Sequence, residues 1–208
     1  MTSADDPALN AAGAVEGGES DPPAAGPARL QRPVVLVGLM GAGKTTVGRR
    51  LAARLSAPFV DSDEAVEDAA RMSVAEIFET MGEAAFRDGE RRVISRLLTE
   101  SPQVVATGGG AWMNDRTRQE IRAQGATVIW LRADLDVLVE RVGRRGGRPL
   151  LAGGEPREIL AGLMAKRDPV YAEADLEIES RGDERHDAVV DRCLAALLAR
   201  GDAREEAA

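Results

Sequence analysis

The sequence predicts an α/β domain built on a five-stranded parallel sheet flanked by helices. Three observations carry that prediction. Five apolar runs of strand length recur between residues 31 and 200. Stretches with helical spacing of apolar residues fill the gaps between them. Three of the runs lead directly into Gly or Asp segments, as expected where a sheet presents ligand-binding groups at the carboxyl ends of its strands.

Taken in order, Pro33-Val-Val-Leu-Val37 is the first strand and stops at Gly38. Its unbroken apolar character suits a strand buried on both faces. Lys44 to Leu55 follows with Val47, Leu51 and Leu55 on one helical face. Phe59-Val60 is the second strand and runs into Asp61, Val104-Val105-Ala106 is the third and runs into Thr107-Gly-Gly-Gly110, Ala126–Leu131 is the fourth, and Asp175–Ile178 is the fifth. Helical patterns occupy 83–99, 114–124, 134–145, 156–168 and 186–200.

The ends of the chain differ from this pattern. Residues 1–30 are mostly Ala, Gly, Pro, Asp and Glu, with no aromatic residue. Such a segment buries too little surface to offset its ordering entropy, so it reads as a disordered acidic tail. Residues 201–208 read as a short C-terminal tail, leaving 31–200 as the domain. The formal charge of −8 is concentrated in the tails: five acids and one Arg in 1–30, three acids and one Arg in 201–208. The domain itself is close to neutral, so bulk charge does not indicate a polyanionic partner. No apolar run approaches the roughly 20 residues needed to span a bilayer, and the N-terminus lacks the apolar stretch of a secretory signal. A cytoplasmic monomer with no membrane or nucleic-acid partner is expected. Cys193, the single cysteine, excludes an internal disulfide and reads as helix packing. His186, the single histidine, reads as a helix-start or solvent residue.

The chemistry is concentrated in Gly38-Leu-Met-Gly-Ala-Gly-Lys44-Thr45, which fits G-x-x-x-x-G-K-[ST] with a strand before it and a helix after it. The glycines let backbone N–H groups of Gly41, Ala42, Gly43, Lys44, Thr45 and Thr46 face a polyphosphate at a helix N-terminus. Lys44 then reaches the β- and γ-phosphates, and Thr45 supplies a hydroxyl for Mg2+. Only Lys44 and Lys166 are Lys among 27 basic residues, so a Lys stands where the loop needs a slim point charge. Asp61 and Asp63 follow the second strand. Two apart in extended chain they face the same side, one toward a metal-bound water and one toward an acceptor hydroxyl. Taken alone, Asp-x-Asp is also a common turn or helix cap. Arg87 opens a helix, Arg148 lies in a polar, Gly-rich run over about 143–155 that has the composition of a mobile lid, and Arg167 lies within Met164–Tyr171.

Gly38–Thr45, Phe59–Asp63, Ser73–Phe78, Gly82–Arg87, Thr107–Gly110, Arg148–Leu151 and Lys166–Tyr171 together resemble the shikimate kinase family over residues 32–181. The resemblance implies a P-loop fold like that of nucleoside monophosphate kinases, with a lid. It implies transfer of a phosphoryl group from MgATP to the 3-hydroxyl of shikimate, on the route to the aromatic amino acids. In that reading Asp63 is the base that contacts the shikimate hydroxyls, and Asp61 orders the Mg2+ shell with Thr45. Arg87 and Arg167 clamp the carboxylate. Gly109, between Gly108 and Gly110, binds through its backbone. Arg148 closes onto the phosphates, and Arg141 and Arg181 flank the adenine. Two other functions share parts of the pattern, a gluconate-type kinase and a non-catalytic ligand sensor. The Ala84–Arg87 and Arg148–Leu151 blocks argue against the first, and the intact Lys44, Thr45, Asp63 and Arg148 argue against the second.

Overall fold

The computed structural model describes residues 28–144, 154–182 and 184–205. Its main sheet has five parallel strands in the order β3-β4-β2-β5-β6. These are β2 (Val34–Val37), β3 (Phe59–Asp61), β4 (Val104–Ala106), β5 (Thr127–Arg132) and β6 (Leu176–Glu179). The expected five-stranded sheet is therefore present, with the expected strand centres. All four residues of β2 are buried, because β2 is central and both sheet faces are covered. The helices are α1 (Lys44–Arg54), α2 (Ser62–Ala70), α3 (Val74–Thr99), α4 (Asp115–Ala123), α5 (Leu135–Gly143), α6 (Pro156–Tyr171) and α7 (His186–Arg200).

Two helical segments exceed the sequence reading. Residues 62–70 form α2 because the Asp61 side chain accepts the backbone N–H of Asp63 and caps its start. Asp61 and Asp63 are thus a cap and a first-turn residue rather than neighbours on an extended chain. The helix expected over 83–99 begins at Val74, where Ser73 and Glu76 form a reciprocal capping box. Its expected start coincides with an internal bend at Gly82, whose φ of 81° and ψ of 168° interrupt the helix. Cys193 is packed at zero exposure on α7, and burial pushes its thiol up to about 12.

The tail boundaries at residues 30 and 201 also shift. Ala28–Leu30 forms β1 and pairs antiparallel with β7 (Ala203–Glu205), with Ala28, Leu30 and Ala203 buried. Asp202 fixes this ribbon to the domain. Its carboxylate, almost fully buried, forms an ion pair with Arg32 Nε at 3.0 Å and accepts from Arg200 Nε at 2.9 Å and Thr127 Oγ1 at 2.8 Å. Residues 1–27, 206–208 and most of the 143–155 segment, Arg148 included, lie outside the described residues.

Hydrogen bonds to a charged group contribute roughly 1.5–3 kcal/mol each, less where a partner is solvated, as both arginines here are. Asp202→Ala is therefore expected to cost about 2 kcal/mol, lowering the melting temperature by roughly 4–8 °C. An unchanged calorimetric melting temperature would show that the ribbon does not anchor the ends.

Candidate functional site

The carboxyl ends of β2, β3 and β4 open into one cleft of about 690 Å3, lined by Gly41, Gly43, Lys44, Thr45, Asp61 and Asp63 together with the Thr107–Gly109 turn. The loop after β2 is possible because Gly38 takes a φ of 138°; a Cβ there would lie 2.5 Å from the Leu131 carbonyl oxygen of neighbouring β5. Gly43, with a φ of 97°, then starts α1. Lys44 turns back over the loop and donates to the Gly38 and Leu39 carbonyls at 2.8 and 3.0 Å. Thr45 Oγ1 donates to Asp61 Oδ2 at 2.9 Å. This pair offers hard oxygen donors beside a phosphate loop, which suits Mg2+, an ion that keeps most of its shell as water and phosphate oxygen. Among the described residues no cluster of three or more His, Cys, Asp and Glu could hold a metal, so any ion here depends on its other ligand.

Asp63 lies deeper in the cleft. Burial raises its carboxyl above the usual carboxylate range and the neighbouring Asp61 adds to the rise, while Lys44 and Arg87 oppose it. A carboxylate in that state is a stronger base than one in water.

The second half of the site is built around the turn 108–110. Arg167 Nη1 and Tyr171 Oη both donate to the Gly109 carbonyl, at 2.8 and 2.5 Å. That fork fixes the plane of the peptide linking Gly109 to Gly110. Arg87 stacks its guanidinium against Gly110 so closely that a Cβ there would overlap it. A Cβ on Gly108 would lie 2.6 Å from Asp63 Oδ1 and 2.9 Å from Glu90 Oε1. Side chains have been kept out of this turn so that one cluster of Asp, Glu and two Arg can close around it.

The predicted residues fall into three groups. Lys44, Thr45, Thr46, Gly41, Gly43, Asp61, Asp63, Gly108, Gly109 and Arg141 line the cleft. Ala42 is buried beneath the loop. Arg87, Gly110 and Arg167 sit at the far wall, reached through the glycine turn. Arg181 is not among the residues that line the cleft. Its side chain pairs with Glu179 at 3.1 Å, and it is the Arg181 carbonyl that accepts from Arg141 Nη2 at 2.6 Å. Arg141, by contrast, lines the cleft.

Four contributors escaped the sequence reading. Glu90 is 1% exposed and holds Arg87 Nη1 at 2.7 Å. Tyr171 is fully buried and serves the glycine turn. Glu184 and His186 line the cleft at its Arg141 end. The i,i+3 spacing of Arg87 and Glu90 and the i,i+4 spacing of Arg167 and Tyr171 were available signals, since both place the pair on one helix face.

The family model for shikimate kinase matches residues 40–198. A shikimate kinase of Rhodopseudomonas palustris is 57% identical over 166 residues, covering 80% of this chain and 81% of that protein. One from Bradyrhizobium diazoefficiens is 54% identical, covering 81% of this chain and 80% of its own length. Among solved structures, a shikimate kinase from Acinetobacter baumannii in complex with shikimate superposes with a TM-score of 0.74 at 35% identity, covering 82% of this chain and 95% of that one. A gluconokinase from Sinorhizobium meliloti, at 19% identity and a TM-score of 0.58, shares the fold.

Gly110→Ala tests the cradle. The added methyl meets the end of a flexible side chain, so Arg87 moves at little cost to the fold. The melting temperature is expected to stay within a few degrees while affinity for a carboxylate-bearing acceptor falls at least about tenfold. Unchanged affinity would show that Arg87 does not act from this position.

Proposed function

We propose, for a chain that belongs to the shikimate kinase family, how its own residues carry out the family's reaction. The reaction is ATP-dependent phosphorylation of the 3-hydroxyl of shikimate, a step toward chorismate and the aromatic amino acids. One observation carries the assignment of roles. The phosphate loop, the Thr45–Asp61 pair, Asp63 and the Arg87–Arg167 wall all converge on the turn 108–110.

In this reading the β- and γ-phosphates lie along the 41–46 backbone, with the N-terminus of α1 and Lys44 neutralising them. Thr45 and Asp61 would hold Mg2+, which would supply further charge neutralisation on the phosphates. Arg141 borders the adenine, and Arg148, which lies outside the described residues, is proposed to contact the phosphates. Shikimate places its carboxylate between Arg87 and Arg167, whose planar guanidinium groups match it geometrically. The Gly109 region contributes backbone N–H groups from a turn held rigid by Arg167 and Tyr171. The 3-hydroxyl then faces Asp63, which accepts its proton as the bond from that oxygen to the γ-phosphorus forms and the bond from the γ-phosphorus to the bridging oxygen breaks, releasing ADP. Positioning and charge supply most of the catalysis, because phosphoryl transfer needs little covalent help.

Among the described residues no helix is long and apolar enough to cross a membrane. The protein is proposed to act as a cytoplasmic monomer without nucleic-acid or membrane partners. The segment 1–30, apart from the strand at its end, is proposed to stay outside the catalytic domain.

The central test is ADP formation from ATP with and without shikimate, with gluconate as control. Turnover is expected to depend on shikimate and Mg2+. Asp63→Asn keeps shape and removes the base, so kcat should fall at least about a hundredfold in a folded protein. Retention of most activity would remove Asp63 from the base role.

Arg87→Ala separates binding from chemistry. Truncating one partner of a buried charge pair costs roughly 2–5 kcal/mol, or about 30-fold to several thousand-fold in kcat/KM. Against an analogue lacking the carboxylate, the same substitution should add little further loss. An equal loss on both substrates would place Arg87 in the service of the fold or the nucleotide.

A further inference from the structure

We infer that acceptor binding is coupled to uptake of one proton by Glu90, so that the enzyme holds its anionic acceptor with Glu90 neutral. The inference rests on the reading of Arg87 as the carboxylate clamp.

The free site is already crowded with anions. Glu90 lies on α3 with its side chain 1% exposed. One of its oxygens, Oε2, accepts from Arg87 Nη1 at 2.7 Å. The other, Oε1, is fully buried and has no hydrogen-bond partner among the described residues. It faces the point beside Gly108 that Asp63 Oδ1 also faces. An ionised carboxylate buried with one oxygen unsatisfied is costly, and the obvious remedy is a proton on that oxygen.

The surrounding charges set the balance. On its own helix Glu90 faces Arg87, which favours the anion, and Glu83, which opposes it. From α2 it faces Asp63, which also opposes it. The 3-10 turn Ala111–Met113 brings no titratable group, and Glu120 of α4 is engaged by Arg91. Among the described residues Arg87 is the cation paired with Glu90, and it favours the ionised form. Burial, the largest influence, and these neighbours together raise its carboxyl to about 7.

A carboxylate arriving at Arg87 shares that guanidinium and adds a like charge beside Glu90 and Asp63. Both effects favour the neutral acid. Above neutral pH the free enzyme holds Glu90 mostly ionised, whereas the complex holds it protonated, with the proton taken from solvent onto Oε1. The sign of the linkage follows. Because binding takes up a proton, acceptor affinity falls as pH rises through and above about 7, by up to about tenfold per pH unit. It levels off again where Glu90 ionises within the complex.

The test is isothermal titration calorimetry of the full chain with shikimate at pH 8, in buffers of different ionisation enthalpy. The slope of observed enthalpy against buffer ionisation enthalpy counts protons. Wild type is expected to take up between about half and one proton, and its affinity to weaken from pH 7 to pH 9. Glu90→Gln keeps an oxygen for Arg87 and removes the titration, so the proton count should fall near zero and the pH profile should flatten. A wild-type count near zero overturns the proposal without recourse to any variant. An unchanged count in Glu90→Gln also overturns it, by assigning the proton to another group. Arg87→Ala keeps the two readings distinct. If it binds shikimate as tightly as wild type, the clamp reading itself fails. If it binds weakly while wild type takes up no proton, only the coupling fails.

Discussion

Lys44 reaches back across its own loop to the carbonyls of Gly38 and Leu39, and this short connection sets the geometry of the whole nucleotide side. It closes only because Gly38 can adopt a φ of 138° against the Leu131 carbonyl of the next strand. That close approach in turn requires β2 to be flanked on both sides and buried, as the order β3-β4-β2-β5-β6 arranges. Two charge-assisted bonds of about 1.5–3 kcal/mol each hold the ammonium before any phosphate arrives. The cation is thus positioned in advance, and its carbonyl partners can be exchanged for phosphate oxygens without reorganising the loop.

The acceptor side depends on a different constraint, the absence of side chains at three consecutive positions. Each glycine from 108 to 110 leaves room for a different group: Asp63 and Glu90 at Gly108, Arg167 at Gly109 and Arg87 at Gly110. Residues from α2, α3 and α6 therefore meet over a single turn that β4 delivers. Tyr171 and Arg167 share the Gly109 carbonyl, so that turn is tied to the end of α6, and Trp112 ties the same helix end again by donating to the Val170 carbonyl at 3.0 Å. The acceptor wall is held by the helices that carry its charges.

The sheet and the phosphate loop were legible in the sequence because they follow from local rules. Apolar runs of strand length make strands, and a Gly-rich strand-to-helix turn with Lys and Thr binds phosphate. Helix α2 was not legible, because Asp61 carries two signals at once. Read as a strand end it presents a carboxylate; read as a cap it starts a helix, and it does both. The terminal ribbon was hidden for another reason. Leu30 and Ala203 look like tail residues in composition, and only pairing across the length of the chain, secured by Asp202, gives them a buried face. Glu90 was missed because an acidic residue three positions from an Arg on a helix is ordinarily a solvated ion pair, and nothing local announces that α2 and the glycine turn bury it.

That burial gives the site its character. A surface Arg–Glu pair at this spacing is nearly inert, contributing a few tenths of a kcal/mol and screened by salt. Placed under the glycine turn, the same pair holds Arg87 in one orientation and leaves Glu90 with one oxygen that has no hydrogen-bond partner among the described residues, beside Asp63. The cleft then contains more carboxylates than its two wall arginines can neutralise. In the proposed reading an anionic acceptor enters as a competitor for a cation already in use, and room for it is made by changing the charge of a protein carboxylate rather than by supplying a third arginine. In the proposed reading, selectivity for a carboxylate-bearing polyol and sensitivity to proton concentration arise from one arrangement, Arg87 shared between Glu90 and the substrate.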